Sequence, residues 1–305
     1  MAKKAYAKAE KMIVSLFEKE GMFKWNDQPF SIEKVGKPRP QGKGECKTDV
    51  YVKGVHNNLH KELKISIKLK DKYEFQESKI SAERAEAIFG EHWRNIVEET
   101  SRSIQHEFEK LPLMYVDQKG NTKANSVTMG WRLEITNKPR KLSAPICLIH
   151  QEIRDSIYKG INLPDEKKHA LVKGDVIKDS GVAEYLLLFD EEEIHTVEDI
   201  MNHLQFIDSM DVPPTYLTFI SNNYRVKEKK IDGARPLAVY VDWKLKNGII
   251  SPSIKCDEPL TYKGKERIPL VTSLFQQLQC NLPEDLHEKK HFHMVHQLFK
   301  KEKSA

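Results

Sequence analysis

A chain of 305 residues with 39% hydrophobic and 31% charged residues can bury a substantial core, which sets intrinsic disorder aside. Its net charge of +5 at pH 7 is too mild to name a polyanionic partner, and its longest apolar runs, such as "YLLLF" at 185–189, fall far short of the roughly 20 residues that cross a bilayer. Cys46, Cys147, Cys256 and Cys280 form no CxxC pair, so neither a zinc knuckle nor a disulfide framework is expected. The basic start "MAKKAYAKAEKMIVSLFEKE" lacks a continuous apolar core and a small-residue cleavage site, so no signal peptide is expected and a cytoplasmic protein is.

In chain order, Ala5, Ala9, Met12, Ile13, Leu16 and Phe17 recur at helical spacing and predict a helix over 2–20 that Gly21 stops. A basic, Gly- and Pro-rich loop, "GKPRPQGKGE" at 36–45, leads into "KTDVYVKGVHNNLHKELKISIKLK" at 47–70, which alternates as two strands. Ser81 can cap a long helix over 82–111, with Gly90 a point of kinking or breakage. "SVTMGWRLEIT" at 126–136 reads as a strand, 144–160 and 197–210 as helices. Strands are expected at 215–226, 235–255 and 260–271, with turns at Asn222–Asn223, Asn247–Gly248 and Lys263–Gly264. Helices at 273–279 and 284–300 close the chain. The order implies an α/β or α+β fold, a mixed sheet flanked by helices with a β-rich second half. A boundary near 140 divides it into 1–140, holding the hairpin, and 141–305, for recognition and dimerisation.

The hairpin carries the chemistry. Val50 and Val52, with Leu63, Ile65, Ile67 and Leu69, form its apolar face, which leaves Asp49, Tyr51, Glu62, Lys64, Ser66 and Lys68 on the other. Such a face is either solvated or a place where carboxylates on two strands, about 5 Å apart, converge on one cation. A lysine two residues beyond a carboxylate lies about 6–7 Å along the same face, where it can orient water and offset phosphate charge. Register decides which groups meet. A two-residue turn at Asn57–Asn58 pairs Asp49 with Ser66, makes Lys68 the active lysine, and leaves Glu45 or Glu77 to complete the site. A four-residue turn at 54–57 puts Asp49 opposite Glu62 and makes Lys64 the active lysine. Turn chemistry favours the first and metal chemistry the second.

An acid on one strand followed by acid-x-lysine on the next resembles the PD-(D/E)XK nuclease family, with "TD" at 48–49, "ELK" at 62–64, and Thr48 where the family often has proline. "KTDVYV" and "ISIKL" in particular are similar to type II restriction endonucleases with an S-I-K or S-V-K catalytic segment. The resemblance, over about residues 40–110, implies a restriction-endonuclease-like core and Mg²⁺-dependent, sequence-specific cleavage of double-stranded DNA to a 5′-phosphate. It implies Asp49 and Glu62 as metal ligands, a homodimer, since two strands need two sites, and a possible cognate methyltransferase.

Target reading is expected in the second half, where 222–271 holds 11 Lys/Arg against 6 Asp/Glu. There Asn222, Asn223, Tyr224, Arg225 and Arg235 suit base edges or phosphates, and Lys227, Lys229 and Lys230 suit phosphates. The plain alternative is a hairpin tip in solvent. Two other functions compete. One is a non-catalytic nucleic-acid-binding protein on a degenerate nuclease core. The other is a zinc hydrolase built on "HEKKH" at 287–291, whose lysines and nearness to the chain end are a poor context for zinc, with His293 and His296 as neighbours.

Overall fold

The computed structural model describes residues 2–70, 76–77, 80–292, 294 and 297–301. It is a mixed α/β protein with curled mixed sheets. The chain folds into two compact units, each discontinuous in sequence. The first comprises Met1–Glu74, Ala87–Gly90 and Leu148–Pro213; the second comprises Phe75–Glu86, Glu91–Cys147 and Pro214–Ala305. The chain changes unit at Cys147–Leu148, close to the boundary expected near 140, but there 148–213 returns to the hairpin, so each unit draws on both sides of that boundary. No described helix is long and apolar enough to cross a membrane.

In the first unit, α1 (Ala2–Glu20) buries Ala9, Ile13 and Phe17 on one stripe. Gly21, at φ +69°, ends it and donates its amide to the Phe17 carbonyl. β1 (Met22–Trp25) and β2 (Gln28–Gly36) form one hairpin, and β3 (Val50–His56) and β4 (Leu59–Leu69) the next. The remainder comes from the return segment: β5 (Tyr185–Phe189), α2 (Val197–His203) and β6 (Leu204–Phe206). The sheet order is β1-β2-β3-β4-β5-β6. All neighbours are antiparallel except β5, which runs parallel to β4.

Val50, Val52, Leu63, Ile65, Ile67, Leu187 and Phe189 form the buried face, packed in one cluster with the α1 stripe and with Val197 and Ile200 of α2. Each such large side chain contributes about 1.5–3 kcal/mol on burial. The other face is partly covered as well. Tyr51, Lys64 and Ser66 are 0%, 8% and 6% exposed, so the polar groups of this face need partners within the protein.

The second unit is organised on the strand Ser126–Thr136, whose antiparallel neighbours are Tyr216–Arg225 and Val239–Asp242. Trp131, Leu133, Leu217 and Phe219 are buried there, and the Phe108 ring lies 4.7 Å from Trp131 and 5.3 Å from Phe219.

Several expected elements differ. The helix over 82–111 is broken into Ala82–Phe89, Trp93–Ser103 and Gln105–Glu109, with Gly90 at φ +71° in the first break. The helix at 144–160 is a short strand, Ser143–Pro145, then one α turn and the π-helical Arg154–Lys159. The helix at 197–210 stops at His203 because Leu204–Phe206 pairs with β5. Asn222–Asn223 is a β-bulge inside a strand, not a turn. The strand at 260–271 is instead the 3₁₀ turn Gly264–Arg267 and the helix Ile268–Gln277. Pro269 in its first turn and buried Val271, Leu274 and Phe275 follow helical spacing. The terminal helix is one turn, Glu288–His291, followed by the strand Leu298–Phe299 paired to Met114–Tyr115.

Candidate active site at the end of the hairpin

Asn57 and Asn58 stand at φ +47° and +62°, the two left-handed positions of a type I′ turn, which asparagine tolerates. The turn sets the register: Val55 opposite His60, Lys53 opposite Glu62, Tyr51 opposite Lys64 and Val50 opposite Ile65. Asp49, the next residue, falls at Ser66. Its amide donates to the Ile65 carbonyl at 2.8 Å, and its Oδ2 accepts the Ile67 amide at 2.8 Å and the Ser66 hydroxyl at 3.4 Å. The carboxylate thus replaces a ladder partner at the end of the strand, and Lys68 follows two residues beyond Ser66 on the same face.

Glu62 and Lys64 are not part of this cluster. Glu62 lies four residues from Ser66, about 13 Å along the strand, too far to share a cation with Asp49. Its Oε1 accepts the Tyr51 hydroxyl at 2.5 Å. The Lys64 ammonium donates to Glu184 at 3.0 Å and lies 3.6 Å from Glu62. Burial, and then the bond to Glu62, push the Tyr51 phenol well above its ordinary range. Tyr51, Glu62, Lys64 and Glu184 bond to one another on this face, so Glu62 and Lys64, expected beside Asp49, are placed with Glu184 instead.

A different acid lies near enough to feel the charge of Asp49. Glu10 of α1, with a side chain 15% exposed, pairs with Lys37. Burial raises its pKa, the Lys37 hydrogen bond opposes that rise, and the charges of Asp49 and Glu45 add to it. The Cys46 thiol feels the same groups. It is pushed up to about 11 by burial and by Asp49, with Lys167 and Lys37 pulling the other way. Glu10, Glu45 and Asp49 therefore share one field, balanced by Lys37 and Lys167. Sequence reading passed over Glu10, although its signal was present: Tyr6, Glu10, Ile13 and Phe17 follow helical spacing, an acid set within an apolar stripe. Glu77 pairs with Ile135 in the second unit, and its side chain lies outside the described residues.

The approach to Asp49 is fixed from behind. The Lys47 and Thr48 amides both donate to the Gly181 carbonyl, at 2.9 and 3.2 Å. A methyl group at Gly181 would stand 1.8 Å from the Lys167 carbonyl oxygen, so only glycine permits this approach. Among the described residues no three His, Cys, Asp or Glu side chains gather closely enough to hold a metal by themselves. The donors here are all oxygens, however, and a hard cation such as Mg²⁺ takes one or two carboxylates and keeps several waters. Asp49 with Glu10 or Glu45 fits that requirement.

The residues expected to read DNA are mostly committed elsewhere. Asn222 is fully buried and donates to the Asp232 and Gly233 carbonyls at 3.3 and 3.0 Å. Asn223 is buried at the bulge, where its Oδ1 accepts the Thr128 hydroxyl at 3.0 Å. Tyr224 is buried, and Arg225 pairs with Glu228 at 2.6 Å and Asp232 at 3.3 Å. These four hold the return strand Lys230–Ile231 and are not presented to a base edge. Lys227, Lys229 and Lys230 are exposed and Arg235 is half-buried.

In HEKKH the His287 and His291 ring centroids lie 6.4 Å apart. His287 has extended backbone ahead of the helical turn, and His291 is buried with its Nδ1 accepting the His287 amide at 3.0 Å. His293 and His296 lie outside the described residues. No protein-family model, no curated protein and no solved structure matches the chain.

Proposed function

We propose that the protein is a Mg²⁺-dependent, sequence-specific endonuclease of double-stranded DNA, of type II restriction type, on a restriction-endonuclease-like core. The observation that carries this reading is the Asp49 carboxylate bonded to the Ser66–Ile67 segment with Lys68 next on the same strand face. A mixed sheet packed with helices, here α1 and α2 on one face, is in keeping with the core that the resemblance to PD-(D/E)XK nucleases implies. Bound Mg²⁺ would supply Lewis-acid activation of the scissile phosphate and of water. Asp49 and Glu10, with Glu45 near them, would hold it. The Lys68 ammonium would orient the attacking water and offset charge on the phosphorane, and the Ser66 hydroxyl holds Asp49 in place. The product is a 5′-phosphate. A homodimer provides two sites for two strands, and a cognate methyltransferase would protect the host's DNA.

A second reading, non-catalytic DNA binding on a degenerate core, is favoured by Ser66 standing where the family has its second carboxylate. Plasmid incubation with Mg²⁺ or EDTA separates the two. Wild type should give discrete fragments only with Mg²⁺. Asp49→Ala and Lys68→Ala should lose roughly 10³-fold in rate, the scale of losing a metal ligand or a positioned ammonium. Lys64→Ala should keep the fragment pattern. Binding without cleavage, across varied unmethylated DNA, would establish the second reading instead.

A further inference from the structure

The strand register brings the ends of four elements together. Gly36 at the end of β2 pairs with Tyr51 of β3, Val50 at the start of β3 with Ile65 of β4, and Leu69 at the end of β4 with Phe189 at the end of β5. Asp49 and Lys68 lie at this end of the sheet, and the loop 37–48 that joins β2 to β3 crosses it. The loop carries Lys37, Arg39, Lys43 and Lys47 against the single acid Glu45. Lys37, Arg39 and Lys43 are exposed.

The loop is tied to the segment 166–181 at several points. Arg39 exchanges two backbone hydrogen bonds with Leu171, at 2.9 and 2.8 Å. The Gln41 amide donates to the Glu166 carbonyl at 2.8 Å and its side chain to the His169 carbonyl at 2.6 Å. Gly44, at φ +109°, lets the Lys167 ammonium come within 3.0 Å of where a Cβ would stand. The backbone that carries Arg39 and Lys43 is therefore pinned, with Lys37 held by Glu10 and the Glu166 carboxylate against Gly42, which lowers the ordering cost of binding a polyanion. On the other flank, the chain leaving β5 is acidic, Asp190 to Glu193, where Lys70 pairs with Glu193 at 2.6 Å and His203 lies 3.9 Å from it.

We infer that loop 37–47, with Lys167, is the surface along which the phosphate backbone of duplex DNA reaches the Asp49–Lys68 site. The Lys227, Lys229 and Lys230 turn is not that surface. This rests on the endonuclease reading. Of the two flanks, the loop side is the basic one and the 190–193 side the acidic one, so a polyanion is drawn to the loop side. Arg39 and Lys43 make phosphate contacts that position the duplex without reading its sequence.

The test is duplex binding in EDTA, followed by fluorescence anisotropy across a salt series, with plasmid cleavage run in parallel. Arg39→Ala with Lys43→Ala should flatten the dependence of log K on log salt by about two, one per lost phosphate contact, and weaken binding at least tenfold at low salt. The charge-keeping pair Arg39→Lys with Lys43→Arg should restore the slope. Lys227→Ala with Lys229→Ala and Lys230→Ala should leave it unchanged. A wild type that binds and cuts DNA while the Arg39/Lys43 alanine pair keeps the full slope would overturn the inference alone. So would a slope lost only in the 227/229/230 variant, or a wild type that binds phosphatidylserine vesicles in place of duplex. A wild type that neither binds nor cuts DNA would overturn the endonuclease reading and this inference with it.

Discussion

Glu10 shows how much of the site hangs on one side chain set in an otherwise apolar stripe. Its carboxyl is raised from the ordinary 4.5 chiefly by burial, against the pull of Lys37. A carboxyl raised in the folded state contributes stability below its unfolded value, and that contribution is lost as pH rises through the folded value. Ionised Glu10 therefore strains the fold at neutral pH. Relative to wild type, Glu10→Gln should gain thermal stability as pH rises from about 4.5 through the raised folded value, and keep that gain above it. Millimolar Mg²⁺ at pH 7 should stabilise the wild type by about 1–3 kcal/mol and the variant by clearly less, because the cation offsets the crowding of Glu10, Glu45 and Asp49. Thermal unfolding over a pH series, with and without Mg²⁺, checks both. A stability difference that narrows with rising pH, or equal Mg²⁺ responses, would refute the role given to Glu10.

At the scale of elements, the hairpin register was legible from two residues. Asn57 and Asn58 accept positive φ at little cost, and that local preference outweighed the attraction of pairing Asp49 with Glu62. Buried alternation was equally readable, since Val50, Val52, Leu63, Ile65 and Ile67 all lie in the core. What covered the opposite face was not readable, because Glu184 and Gly181 come from more than a hundred residues away. Gly181 gives no sign in sequence that its hydrogen is the only side chain its neighbours allow. Gly181→Ala must push the backbone at Lys167 aside and break the carbonyl contacts to Lys47 and Thr48. The expected loss is roughly 2–4 kcal/mol of stability, the range of an overpacked site that also loses hydrogen bonds. Since Asp49 adjoins this segment, cleavage should fall further than the folded fraction accounts for. Denaturant unfolding and cleavage rate, measured on the same preparation, test this. A variant with wild-type values for both would show that the Gly181 contact does not position Asp49.

For the whole molecule, composition and apolar periodicity predicted a mixed α/β protein with a boundary near 140, but not the return of 148–213 to the first unit, for a physical reason. Periodicity reports the face an element buries, not the distant element that it meets. β4 needs β5, a strand that follows it by more than a hundred residues, as its parallel neighbour. In the second unit Ser126–Thr136 needs Tyr216–Arg225. A fragment of residues 1–140 therefore keeps β4 and the strand 126–136 but loses a hydrogen-bonded neighbour of each. It also loses Leu187, Phe189, Val197 and Ile200 from the cluster around α1. With an open apolar edge in each unit, the fragment should collapse or aggregate, without a cooperative denaturant transition or a native near-ultraviolet circular dichroism signal. Co-expression with residues 141–305 should recover a soluble complex, since every missing strand is then supplied. A soluble fragment 1–140 with a sharp unfolding transition would mean that the first unit closes without β5, and that its core is the α1–β4 half alone.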